Sequence, residues 1–147
     1  MSAVSEIMPT RAAVTIRVEL TPSALDAAKL MISRKVGSVV VVDHDGKPIG
    51  IITERDILKN VAGSKKDSIN LAAQDIMSHP VITIKVYDSI ETAAAAMAKN
   101  RIKRLVVLEQ DGSLAGVLSI TDIARKLAKI LATDYKRYGQ FNALMDS

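Results

Sequence analysis

The chain has no cysteine, no tryptophan and a single phenylalanine. Without cysteine there is neither a disulfide framework nor thiolate chemistry, a composition that fits the cytoplasm. Aromatic residues are only 3% of the sequence, so the core must be assembled from Ile, Val, Leu, Met and Ala. The same scarcity removes the stacking platforms that single-stranded nucleic acids favour. No apolar run approaches the ~20 residues of a transmembrane helix. Met1 to Thr10 carries acidic Glu6 and no basic cluster, so it does not read as a signal peptide. A P-loop, a Gly-x-Ser-x-Gly elbow and a Ser-His-Asp arrangement are all missing. His44 and His79 are far apart, with no neighbours at ligand spacing, so no metal site is expected. The net charge of +4 is a modest basic excess. It suits an anionic ligand, a nucleic acid or solubility alone.

What the chain does have, it has twice. Gly50-Ile-Ile-Thr53-Glu-Arg-Asp56-Ile57 returns as Gly116-Val-Leu-Ser119-Ile-Thr-Asp122-Ile123. Asp45-Gly46 precedes the first copy and Asp111-Gly112 the second, and each turn follows a β-branched run, Val39 to Val42 and Leu105 to Leu108. Farther upstream, Glu6-Ile7-Met8 matches Asp75-Ile76-Met77. A repeat of this extent is a whole folding unit. Half of 147 residues is too little for an independent core, so the halves are expected to pack as one body.

Val14 to Val18 alternates like a half-buried strand. Thr21 as N-cap and Pro22 at the first helical position open a helix whose apolar face is Ala24, Ala27, Ala28 and Met31. Ser38 to Asp43 and Pro48 to Ile52 form a hairpin about His44-Asp45-Gly46, and a helix runs from Glu54 to about Ala62. The second half repeats the order. A short helix spans Leu71 to Met77 and a strand Val81 to Lys85. Asp88 caps a helix from Ser89 to Asn100, a hairpin follows from Arg104 to Leu118, and the last helix starts near Ile120. The expected fold class is mixed α/β (α+β), with two β-α-β-β-α repeats related by a pseudo-two-fold axis. The segments are 1–62 for the first repeat, 63–70 for a linker, 71–126 for the second repeat and 127–147 for a C-terminal helical extension. In that extension Ile123, Leu127, Ile130, Leu131, Tyr135, Tyr138, Phe141 and Leu144 make an apolar stripe, and Gly139 is placed to break or bend it. The stripe either packs on its own repeat or receives a second copy of the chain.

Thr53-x-x-Asp56 and Ser119-x-x-Asp122 admit two readings. Ser or Thr followed three residues later by an acid resembles a capping box, with the aspartates favouring the positive helix end. A helix start also exposes unpaired N–H groups that suit phosphate, and an aspartate can accept from both hydroxyls of a ribose. The two readings are compatible, since a capped helix start is a rigid one.

The leading Ile-Met element, the Val-rich strand, the Asp-Gly turn and the Gly-h-h-Thr/Ser-x-x-Asp ending occur twice in the same order. Together they resemble the CBS domain family over roughly Ser5 to Lys126. The resemblance implies a non-catalytic, ligand-sensing regulatory module. It would bind an adenosine-containing nucleotide such as AMP, ADP or ATP in the clefts between CBS-like repeats, with no other cofactor. It further implies that Asp56 and Asp122 hold ribose hydroxyls. Thr53, Ser119 and Thr121 would lie near phosphate or ribose, and Thr15-Ile16 and Val81-Ile82 would flank the adenine. Arg104 matches a family position that often touches phosphate, where the first repeat has Ser38. Arg55 stands in the first repeat where Thr121 stands in the second. With Arg104, Ser119 and Thr121 assigned to one cleft end, the second repeat is expected to bind more strongly, and Asp122 to matter more than Asp56.

Two alternatives accompany this reading. One is a nucleic-acid-binding module using Lys65, Lys66, Arg101, Lys103, Arg104, Lys126, Lys129, Lys136 and Arg137, and the other is a small nucleotide-acting enzyme. No nucleic-acid motif and no general base with a placed partner supports either. The expected partners are the nucleotide, a second copy in a homodimer of four repeats, and an unidentified regulated protein. No membrane is expected among them.

Overall fold

In the computed structural model, each half of the chain forms a three-stranded sheet backed by two helices. It describes residues 2–9, 12–63 and 70–145, with side chains up to residue 137. The first half runs β1 (Thr15–Arg17), α1 (Ala24–Arg34), β2 (Ser38–Val42), β3 (Pro48–Thr53) and α2 (Glu54–Gly63). The second begins with a short α3 (Ala73–Ile76) and continues through β4 (Thr83–Lys85), α4 (Ile90–Asn100), β5 (Arg104–Leu108), β6 (Leu114–Ser119) and α5 (Ile120–Met145). Most of the expected linker, with Lys65 and Lys66, lies outside the described residues. Among those described, no helix is long and apolar enough to cross a membrane.

Both sheets share one topology, in which the first strand runs parallel and the third antiparallel to a central strand. Ser38 lies opposite Thr53 in the first sheet and Arg104 opposite Ser119 in the second, a constant offset of 66 residues. The central strands carry unbroken Val/Leu runs because both of their faces are covered. Val39 and Val41 enter the core of the first half, and Leu105 and Val107 that of the second. The alternate residues Val40, Val42 and Val106 meet between the sheets, with Ala13, Ile51, Val81 and Val117 packed around them. The hairpin turns are built alike at their glycines, since Gly46 and Gly112 take φ of +79° and +88°, a region open to glycine at little steric cost.

The leading segments are exchanged between the halves. Val4 is buried in the core of the second half with Ile84, Met97 and Leu118, and its N–H donates to the Asp88 carbonyl at 2.8 Å. Conversely, Ala73 is buried in the core of the first, and its N–H donates to the Pro22 carbonyl at 2.8 Å. The exchange accounts for the glycine in each motif. A Cβ at Gly50 would strike Met77, and one at Gly116 would strike the Met8 methyl.

Two expected caps are corrected. Thr21 does not cap α1. Its N–H closes a 3-10 turn on the Val18 carbonyl, leaving it at φ +50°. Ser23 caps the helix instead, in a reciprocal box with Asp26. Asp88 likewise does not cap α4, because its carboxylate accepts the Lys85 N–H at 2.9 Å and Ser89 is the N-cap. Gly139 does not break α5, which is continuous over its 26 residues, about 39 Å at the α-helical rise. Ile123 packs on the core of the second half. Leu127, Ile130, Leu131 and Tyr135 are exposed, so this stretch of the stripe does not pack on its own repeat. Tyr138, Phe141 and Leu144 are side chains outside the described set.

Candidate functional site

Parallel pairing of β1 with β2 brings three chain positions to one end of the first sheet: the entry to β1, Ser38 at the start of β2, and Thr53 at the end of β3. The start of α2 follows at once. The second sheet gathers the entry to β4, Arg104, Ser119 and the start of α5 in the same way.

Both Thr/Ser-x-x-Asp motifs close as capping boxes. Thr53 N–H and Oγ1–H donate to Asp56 Oδ2 at 2.8 and 3.1 Å, and Asp56 N–H returns to Thr53 Oγ1 at 3.3 Å. In the second motif Ser119 N–H and Oγ–H donate to Asp122 Oδ2 at 2.8 and 2.9 Å, and Asp122 N–H returns at 3.2 Å. One carboxylate oxygen in each box is thus committed to the helix. The other differs, since Asp56 Oδ1 accepts from Ser78 Oγ at 3.3 Å and Asp122 Oδ1 meets Arg125 Nη1 at 3.4 Å. Each helix start is thus held by its own capping box, and the second carboxylate oxygen of its aspartate is bonded outside the cap. Arg55 and Thr121 are both exposed, one residue before these aspartates.

The two stretches that the resemblance assigns to the base, Thr15-Ile16 and Val81-Ile82, are two residues out of step with each other. Thr15 lies opposite Val40, and the residue opposite Val106 is Thr83, not Val81. Val14 and Ile82 are the true equivalents, each carbonyl accepting from the central strand, at Val40 N–H and Val106 N–H. Ala13 and Val81 are the pair that faces the inter-sheet cluster. Ile16 is buried in the core of the first half, Ile82 packs on that of the second, and Thr15 is exposed. Ala13 and Val14, not Thr15 and Ile16, are thus the register equivalents of Val81 and Ile82. The offset was legible in length, because Ser23 lies eight positions after Thr15 and Ser89 only six after Thr83.

Arg104 does not turn toward Asp122. Its guanidinium crosses the junction between the halves, Nη2 lying 3.8 Å from Glu54 Oε1 beside Gly37. An open cavity of about 260 Å³ adjoins the first helix start, bounded by Asp56, Lys59, Asn60, Asp75 and Ile76. His44 gains neighbours that its sequence spacing did not suggest. Asp43, His44 and Asp45 gather within 4.8 Å in the exposed hairpin turn. Asp43 Oδ1 is engaged there by the Asp45 and Lys47 N–H groups, both at 2.9 Å.

Comparison with known proteins agrees with this architecture. An uncharacterized protein of Methanopyrus kandleri is 36% identical over 113 residues, which cover 77% of this chain and 58% of that protein. The chain thus spans less than two thirds of that relative. A CBS domain protein from Pyrobaculum aerophilum, solved in complex with AMP, superposes with a TM-score of 0.77 at 32% identity, covering 90% of this chain and 99% of that one. The CBS domain pair of protein MJ0100, solved with 5'-methylthioadenosine and S-adenosyl-L-methionine, gives 0.74 at 28% identity, covering 86% and 99%. Two consecutive stretches, residues 4–63 and 73–129, match the CBS domain, and the chain belongs to that family as a tandem pair.

Proposed function

We propose that this chain is a non-catalytic regulatory module that binds an adenosine-containing nucleotide at the cleft ends between its repeats. We take residues 1–62 and 71–126 as the repeats, 63–70 as the linker and 127–147 as an extension. The observation that carries the reading is the pair of capped helix starts, each joined to a strand entry and to a position whose aspartate keeps one oxygen off the cap. In this reading Asp56 and Asp122 take ribose hydroxyls, Thr53, Ser119, Thr121 and Arg55 lie toward ribose or phosphate, and Arg104 takes phosphate. The strand entries, with Ala13 and Val14 joining Val81 and Ile82, flank the base. The AMP and S-adenosylmethionine complexes of the two similar structures favour an adenosine ligand. The guanidinium favours one with phosphate over a sulfonium cation. A thermal-shift panel of AMP, ADP, ATP, NAD and S-adenosylmethionine tests it, since a ligand of the folded state alone raises Tm. Stronger binding of S-adenosylmethionine than of every adenine nucleotide overturns the phosphate preference. A panel without any shift overturns the reading. Turning Arg104 into the junction splits the basic cluster that a nucleic-acid surface would use.

The same proposal includes a homodimer. Leu58 and Val61 on α2 and Leu127 to Tyr135 on α5 leave apolar faces exposed in the single chain. A two-fold pairing covers such faces on both copies at once. Sedimentation should show a dimer at micromolar concentration. Truncation after Ile130 should weaken it if α5 contributes, and a monomeric full chain defeats the dimer.

A further inference from the structure

The contact between Arg104 and Glu54 joins the repeats at one end of the junction only. Arg104 opens β5 in the second repeat, and Glu54 opens α2 in the first, 3.8 Å away. Gly37 leaves the room they occupy, since a Cβ there would strike both the carboxylate and the guanidinium. Sixty-six residues on, the equivalents of Gly37 and Glu54 are Lys103 and Ile120, and Ser38 stands where the second repeat has Arg104. The other end therefore has no charge pair of this kind. The arginine side chain is 29% exposed and the glutamate 66%, so the guanidinium is the more enclosed partner and the carboxylate the one more open to solvent.

We propose that Glu54 is a specificity-determining residue whose carboxylate holds the place on Arg104 that a ligand phosphate takes. This rests on the reading of the cleft as an adenosine-ligand site. A neutral nucleoside leaves the pair intact. A phosphate-bearing ligand must displace the carboxylate, exchanging an ion pair between repeats for one to the ligand. That exchange releases α2 of the first repeat from β5 of the second. It supplies the unequal affinity for two states on which any regulatory response depends.

Calorimetry with AMP and adenosine on the full chain tests it, using wild type, Glu54→Gln, Arg104→Gln and the double variant. Glu54→Gln should raise the ratio of AMP to adenosine affinity about two- to fivefold, the range of a partly exposed ion pair. Arg104→Gln should lower that ratio, and adding Glu54→Gln to it should change the ratio no further. An unchanged ratio in Glu54→Gln, or a change that persists without Arg104, overturns the proposal while the adenosine reading stands. Failure of both ligands to bind the wild type overturns both.

Discussion

The helix starts of the two repeats are bonded internally in the same way, yet their surroundings differ. At the first, Asp56 receives a second hydroxyl from Ser78, a cavity adjoins it, and Glu54 at the head of α2 meets Arg104 from the other repeat. At the second, Asp122 has Arg125 from the following turn of its own helix, and Ile120 stands where Glu54 would be. Duplication has preserved what a helix start needs in order to fold. The residues that reach it from the opposite repeat have diverged. The two cleft ends thus differ in their non-local neighbours, and the capping motif is common ground.

The largest effects test whether the repeats are one cooperative unit. Ile52 and Leu118 are equivalent and fully buried, and truncating either to alanine should cost about 2–5 kcal/mol. Because each core contains the other repeat's leading segment, both variants should lower one shared denaturation transition. Two separate transitions, seen by hydrogen exchange, would break the comparison at its base.

Binding sharpens it next. Asp56→Ala should weaken AMP by about 1.5–3 kcal/mol, the worth of a hydrogen bond to a charged group, and by more than Asp122→Ala. This reverses the order expected from sequence, because Arg104 points to the first helix start. Titration of both variants with AMP decides it, and a larger loss from Asp122→Ala sinks the assignment.

The motif glycines should respond unequally. A Cβ at Gly50 meets the Met77 sulfur, Cγ and Cβ, whereas one at Gly116 meets only the flexible Met8 methyl. Gly50→Ala is expected to cost about 1–3 kcal/mol by overpacking, and Gly116→Ala less. Urea denaturation of the pair checks the order.

The smallest effect is on acid stability. Asp26 in the first repeat is held below the usual aspartate range by the Ser23 backbone and side-chain hydrogen bonds. Its equivalent in the second repeat is Thr92, which does not titrate in that range. A folded-state pKa below the unfolded value of ~3.9 means that this stability is present above that value. It is lost as the pH falls through the lowered one. Asp111, lowered by the Ser113 side chain and backbone, has the same sign. Asp26→Asn should make the protein less dependent on acid pH, and Thr92→Ala should leave that dependence unchanged, as followed by denaturation midpoints below about pH 5.

The family resemblance, both hairpins and the start of every long helix were legible to within a residue or two, because each rests on contacts a few positions apart. Thr53, Asp56, Ser119 and Asp122 belong with these, since a capping box is written in four consecutive residues. The register correspondence of the two strand entries was not legible in their alternation, for a different reason. Any apolar-polar alternation fits a short strand in more than one register, and the extra residues before Ser23 displaced the alignment by two. The Thr21 cap failed alongside, because the same longer connection folds into a 3-10 turn that leaves Thr21 in the left-handed region, two residues before the N-cap Ser23.

By itself the sequence determined a duplicated unit, strands buried on both faces and two rigid, capped helix starts. These follow from periodicity and hydrogen bonds that close within one turn or one hairpin. Only the tertiary structure decided that Val4 and Ala73 enter each other's repeats, that Met77 lies on Gly50, and that Arg104 reaches Glu54 instead of Asp122. Those contacts join positions tens of residues apart, where many partners satisfy the same pattern of apolar and charged residues. The packing of two similarly folded halves selects one arrangement among them.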